Sequence, residues 1–148
     1  MKDVGQIPDT LGRNYDEIDA TLVSSIINMD DENKKLLTGV NIEKVPLILN
    51  NDFLTGIIFI LKNGKRVDRF NFYHGGRKGY YWTKLYKALN PEGRVYLKMD
   101  LSYEGCKKYS GSKRENRIFN KKAKAVDIIS VESEVIRNQA SEFCDTDI

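Results

Sequence analysis

From Arg94 to Tyr103 the chain reads RVYLKMDLSY, with Val95, Leu97, Met99, Leu101 and Tyr103 at one parity and Tyr96, Lys98, Asp100 and Ser102 at the other. Side chains along an extended strand leave alternate faces, so this pattern predicts a half-buried strand. One face belongs to a core and the other to water. The remaining segments are then read for strands that pair with it and helices that cover it.

Three strands are expected before it. IEKVPLIL (42–49) reads as a short peripheral strand, preceded by a turn at TGVN (38–41), and its Pro46 suits an edge or a strand start. IIFILK (57–62) is an apolar run and KRVDRFNFY (65–73) is rich in β-formers. Asn63-Gly64 lies between these two runs. Both central positions of a type I′ turn need positive φ, which Asn and Gly tolerate, so the pair predicts a β-hairpin. One strand is expected afterwards, AVDIISVESEVI (125–136), bending or passing into the final segment.

Two helices are expected. In NYDEIDATLVSSIINMDDENKKLL, Ile18, Leu22, Ile26 and Met29 recur at near-helical spacing behind a group of acids, with a break near Asp30. In YYWTKLYKALN (80–90), Tyr81, Leu85 and Leu89 form one stripe, Trp82 and Tyr86 lie beside it, and Asn90-Pro91 is a stop. Residues 105–124, GCKKYSGSKRENRIFNKKAK, read as a long basic loop.

The expected fold is therefore α+β: a small five-stranded OB-like barrel or an open antiparallel sheet, with an N-terminal helix and one helix between strands 3 and 4. The order of elements over residues 42–136 resembles that of the five-stranded Greek-key OB barrel. The resemblance implies ligand binding on one strand face and on the loop between the last two strands, with oligonucleotides or oligosaccharides as the ligand class.

At 148 residues and 17.0 kDa the chain has the length of one domain. Its charge is segregated. Residues 1–54 hold five Lys/Arg against ten Asp/Glu, residues 55–124 hold eighteen against five, and residues 125–148 hold one against six. This divides the domain into an acidic helical segment (1–41), a β-rich basic body (42–136) and an acidic tail (137–148). A basic body between acidic ends fits an anion-binding protein. No apolar run reaches the roughly 20 residues that span a bilayer, so no membrane association is expected. MKDVGQIPDT lacks an apolar segment of secretory type, and Cys106 and Cys144 have neither metal-type spacing nor a disulfide framework. A cytoplasmic setting with two reduced thiols follows, or a host cytoplasm or virion for a viral source, which the Lys, Asn and Ile bias of an AT-rich genome admits.

The basic segment carries Lys107, Lys108, Lys113, Arg114, Arg117, Lys121, Lys122 and Lys124 against Glu115, with Tyr109 and Phe119 interleaved. Cations neutralise phosphates and aromatic rings stack on bases. The other readings are a solvated loop, or an arm that docks on an acidic protein. HGGRKGYYW (74–82) brings Arg77 and Lys78 to a glycine-rich strand-to-helix turn, which is either a phosphate cradle or a loop without a ligand. Tyr96 shares the polar face of its strand with Lys98 and is the best stacking candidate. His74 is the sole histidine and would need a carboxylate such as Asp52 or Asp68 to act as a catalyst, while Asp68 and Asp100 as Mg²⁺ ligands have nothing to group them. No catalytic residue, metal or cofactor is assigned. The tail SEFCDTDI resembles in composition the acidic tails of single-stranded-DNA-binding proteins, although a solubilising tail reads the same way.

Two functions are expected from this pattern. The first is a non-catalytic module that binds single-stranded DNA or RNA through the basic loop, the Tyr96/Lys98 face and the Arg77/Lys78 turn. The second is a small viral or phage interaction protein, structural or acting in host takeover, whose basic arm docks on an acidic partner, within a homo-oligomer or a larger assembly.

Overall fold

The computed structural model describes residues 3–24, 37–73, 77–99, 101–131 and 133–144. The chain divides into two compact units, Met1–Thr55 and Gly56–Ile148.

In the first unit, helix α1 (Asp3–Asn14) precedes two short strands, β1 (Thr21–Ser24) and β2 (Asn41–Lys44), which pair in parallel with Thr21 opposite Asn41. Asp9 is 6% exposed, and its carboxylate is fully used: it pairs with Arg13 at 2.7 Å and accepts from the Gly39 N–H at 2.8 Å. A Cβ on Gly12 would stand 1.8 Å from the Gly39 carbonyl oxygen, so the helix and the bend before β2 touch backbone to backbone. A 3₁₀ turn at Ile48–Asn50 follows, in which Leu49 (φ 51°) and Asn50 (φ 52°) are left-handed. The Thr55 hydroxyl closes it by accepting from the Ile48 N–H at 2.9 Å.

Helix α2 (Asp52–Asn63) starts in this unit and runs into the second. After a 3₁₀ turn at Gly64–Arg66 come β3 (Arg69–Tyr73), α3 (Arg77–Leu89), β4 (Arg94–Lys98), α4 (Tyr103–Gly111), α5 (Lys113–Ala123), β5 (Ile128–Ser130) and α6 (Glu134–Ser141). The three strands form one sheet in the order β3-β4-β5, parallel throughout. Phe70 lies opposite Val95, and Phe72, Leu97 and Ile129 are in register. These residues share one face of the sheet, because registered partners lie on the same side of the pleat.

That face carries the core. Phe72, Val95 and Leu97 pack with Ile60 of α2 and Tyr86 of α3, while Ile129 packs with Cys106, Phe119, Ala123, Ala140 and Phe143. Met99 and Val126 touch both clusters and join them. Tyr86 is fully buried, and its hydroxyl donates to the Val67 carbonyl, which also accepts from the Asn90 side-chain amide at 3.0 Å. Large apolar side chains buried in this way contribute about 1.5–3 kcal/mol each.

The barrel and the antiparallel sheet are both overturned: among the described residues the sheets are two- and three-stranded and all parallel. The hairpin at Asn63-Gly64 is absent. IIFILK lies in α2, whose first turn is capped by the Asn51 side chain, accepting from Phe53 N–H at 3.0 Å and Leu54 N–H at 3.2 Å. Gly64 opens the 3₁₀ turn after α2, with no positive φ. The expected N-terminal helix is replaced by α1, which precedes it, and by β1, which contains Leu22; Ile26 and Met29 lie outside the described residues. Residues 105–124 are two helices in place of a loop. The helix expected over residues 80–90 is α3, starting at Arg77 and followed by Asn90 and Pro91. The strand expected over residues 94–103 is β4 for its first half only, and those over 42–49 and 125–136 shrink to β2 and β5.

Asp127, just before β5, ties that short strand to its neighbours. Its carboxylate accepts from the Val95 N–H at 2.6 Å and from Lys87 Nζ at 2.7 Å. Burial opposes its ionisation, but the bonds from Lys87 and Val95 and the charges of Lys87 and Arg94 outweigh burial and hold the carboxyl below the usual range. A lowered folded value means that the unfolded chain protonates first on acidification. The contribution is complete above the ordinary carboxylate range and is lost as pH falls through the folded value. Asp127→Asn is expected to lower stability at neutral pH and to flatten the loss below about pH 4, read from urea midpoints across pH.

A Cβ on Gly93 would stand 2.0 Å from the Tyr86 hydroxyl oxygen. Gly93→Ala should therefore destabilise by about 1–3 kcal/mol. Tyr86→Phe removes the nearest of the atoms that Cβ meets and leaves the ring carbon and the Asn90 side-chain nitrogen, so the double variant should cost less than the sum of the single changes, a coupling that a double-mutant cycle in urea measures.

Candidate nucleic-acid interface

The basic segment is helical because serines cap it. Ser102 accepts from the Gly105 N–H at 3.1 Å at the start of α4, and Ser112 accepts from the Glu115 N–H at 3.4 Å at the start of α5. Both helices carry an acid in the first turn, Glu104 and Glu115, where the helix dipole favours it. The apolar residues of the segment turn inward. Phe119 is 2% exposed and stands 4.9 Å from the Tyr109 ring and 5.2 Å from Phe143, centroid to centroid. Phe119 is thus a core residue closed to a base, and the half-buried Tyr109 packs its ring against the same cluster.

The cations turn outward. Lys107, Lys108, Lys113, Arg114, Arg117, Lys121 and Lys124 are all exposed. Lys113, Arg117, Lys121 and Lys124 fall on one side of α5 and its cap, a stripe about 16 Å long at 1.5 Å per residue. Lys107 Nζ sits 4.4 Å from the centre of the half-exposed Tyr103 ring.

Tyr96 and Lys98 lie elsewhere. Residues at the other parity of the strands, Arg69 and Asn71 on β3, Arg94, Tyr96 and Lys98 on β4, and Ile128 and Ser130 on β5, point away from the helix-covered face. Arg69, Asn71, Arg94 and Ile128 are exposed, and Tyr96, Lys98 and Ser130 are half-buried. Register sets Arg69 directly opposite Arg94 and Tyr96 between Asn71 and Ile128. This second face carries three cations and, among the described residues of the strands, no acid. The segment at residues 105–124 and the Tyr96/Lys98 pair therefore serve opposite sides of the sheet. Arg69 and Arg94 escaped the sequence reading because their significance lies in the parallel register, which neither segment reveals by itself.

Arg77 and Lys78 are exposed in the first turn of α3. A small recess near them is lined by Phe72, Gly79, Tyr80, Thr83, Leu97, Lys122 and Val126. Burial, and then the neighbouring charge of Arg77, lower the pKa of the Lys122 ammonium, against the opposing pull of Glu115. Lys121 Nζ lies 5.2 Å from the centre of the Tyr80 ring.

His74 and Asp100 lie outside the described residues, as do the last four residues of the acidic tail. Asp68 is exposed and Asp52 sits in the first turn of α2; among the described residues no three His, Cys, Asp or Glu side chains are grouped to hold a metal. Cys106 and Cys144 are unbridged, and burial, with the charge of Glu142, pushes the Cys106 thiol up. No helix among the described residues is long and apolar enough to cross a membrane. Comparison with protein-family models, with curated proteins and with solved structures gives no match.

The division of the basic segment into a buried and a charged side can be read by substitution. Phe119→Ala should destabilise by about 3–5 kcal/mol, whereas Arg117→Ala, two residues away, should stay within about 0.5 kcal/mol of wild type. Thermal or urea unfolding of the two variants makes the comparison.

Proposed function

We propose that the chain is a non-catalytic protein that binds single-stranded nucleic acid on the second face of its three-stranded sheet. The observation that carries this reading is the Arg69–Arg94 pair. Like charges directly opposite each other on adjacent strands repel, and an anion between them offsets the part of that cost which Asp127, whose carboxylate attracts Arg94, leaves in place. Tyr96, one pleat further along the same face, offers a ring on which a base can stack, and Lys98 continues the positive track. A parallel sheet is ordinarily covered on both sides. A face left polar, basic and partly open fits a ligand that brings its own charge. A cytoplasmic setting belongs to this reading.

Docking of the basic segment on an acidic protein is the competing function, and the α5 stripe of Lys113, Arg117, Lys121 and Lys124 is the surface it would use. Anisotropy of a labelled single-stranded oligonucleotide, titrated at several salt concentrations, separates the two. Tyr96→Ala should weaken binding by about 1–3 kcal/mol and leave the salt slope unchanged. Arg69→Ala with Arg94→Ala should flatten that slope by about 1.4, at roughly 0.7 per phosphate contact. Full binding in the sheet variants, with loss only on removal of the α5 cations, moves the interface to the helix. No binding even at low salt overturns the reading.

A further inference from the structure

Helices α3 and α5 cover one side of the sheet, and their outward faces carry a pattern of their own. On α3, Arg77, Tyr81, Lys84 and Ala88 recur at spacings of three and four, and all are exposed. Thr83 and Tyr86 are buried on the other side of that helix. On α5, Arg117 and Lys121 are exposed one turn apart, while Phe119 and Ala123 are buried.

The two outward faces are joined through a pair of rings. Lys121 Nζ lies over the Tyr80 ring, 5.2 Å from its centre, and the Tyr80 and Tyr81 rings meet edge to face with centroids 5.4 Å apart. The cations of α5 thus run through two tyrosines onto the cations of α3. One sign of charge dominates throughout. No acid occurs on α3, and the one acid of α5, Glu115, is half-buried in the first turn, two residues from Arg117 and so on another side of the helix.

The class of ligand follows from charge and rings together. A protein surface presents carboxylates among groups of both signs, and a carboxylate gains nothing from the negative face of an exposed ring. Nucleic acid supplies what both parts of the surface accept: a charge repeated along its whole length for the cations, and base faces for Tyr81, which is 59% exposed. Stacking of that kind takes an unpaired base.

We propose that this helix surface is a second site for single-stranded nucleic acid, held by Arg77, Lys84, Arg117 and Lys121 with Tyr81 as its stacking ring, so that one chain holds two strands, one on each side of its sheet. The helix site stands on its own residues, and the holding of two strands rests on the sheet-face reading. A helix layer about 10 Å thick separates the two sites along with the sheet, so a short strand engages one of them. Two strands held on one molecule meet at an effective concentration far above that in solution, and complementary strands so held anneal faster.

The test uses the full chain with two non-complementary oligonucleotides of about eight nucleotides, one carrying a donor dye and the other an acceptor. Wild type should take up two strands per chain in a stoichiometric titration at low salt and give energy transfer between them. Arg77→Gln with Lys121→Gln should reduce the uptake to one and abolish the transfer. Arg69→Ala with Arg94→Ala should do the same, leaving the strand at the helices. In that background Tyr81→Ala should weaken the remaining strand at least about fivefold and Tyr81→Phe should not, since stacking needs the ring and not the hydroxyl. Lys62→Gln with Lys65→Gln removes equal charge from exposed positions on other elements and should keep both strands. Uptake of two strands by the Arg77→Gln/Lys121→Gln variant, or an equal loss in the Lys62→Gln/Lys65→Gln variant, overturns the helix site. One strand per chain in wild type overturns the holding of two, and the variants then show which surface fails: loss with Arg69→Ala/Arg94→Ala alone strikes the helix site, and loss with Arg77→Gln/Lys121→Gln alone strikes the sheet-face reading.

Discussion

Parallel pairing is the constraint from which the second unit follows. Two parallel strands run the same way, so the chain must travel back across the sheet before the next strand begins, and a turn of a few residues cannot do this. Between β3 and β4 the return is α3; between β4 and β5 it is the pair α4 and α5. Each return brings an apolar stripe to the sheet, and Tyr86, Phe119 and Ala123 are the residues that arrive. The helices collect on the side of Phe72, Val95, Leu97 and Ile129. The polar parity of the strands is left to other uses.

The alternation at residues 94–98 was legible and correct, since a period of two needs no tertiary knowledge. Residues 57–62 were not legible as a helix. A short apolar run is the same string whether it is buried as a strand or as a helix, and the deciding signal lay upstream, in the Asn51 cap. The cluster at residues 105–124 hid its helices behind its charge, although Ser102, Ser112 and Ser133 all accept from the N–H three residues on. Ser112 with Glu115 even has the spacing of a capping box. Once those two segments are helices, strands and helices alternate along the chain, which is the order of a parallel sheet. The wrong topology was the product of these two readings together.

The candidate site was legible as residue types and illegible as surfaces. Tyr96 and Lys98 were found from their parity alone. That Arg69 stands beside Arg94 depends on a register between segments that α3 separates. Phe119, in contrast, looked like a ring among cations because linear neighbours on a helix face different ways. Its position shares the buried side of α5 with Ala123, while Arg117 and Lys121 lie on the other.

The central strand has a consequence for the way the second unit comes into being. β4 finds neither of its partners nearby in sequence: Arg94 pairs back to Arg69, and Tyr96 pairs forward to Ile128. Zipping from a tight turn is therefore closed to this sheet, and loop closure across a whole helix has to precede the first ladder hydrogen bond. Non-local pairing of this kind slows folding, and during synthesis β4 waits with only β3 available until residues 128–130 have been made. In that interval Leu101 is exposed without the cover of α5 and α6, so this unit completes the apolar cluster around Ile129 after the one around Tyr86.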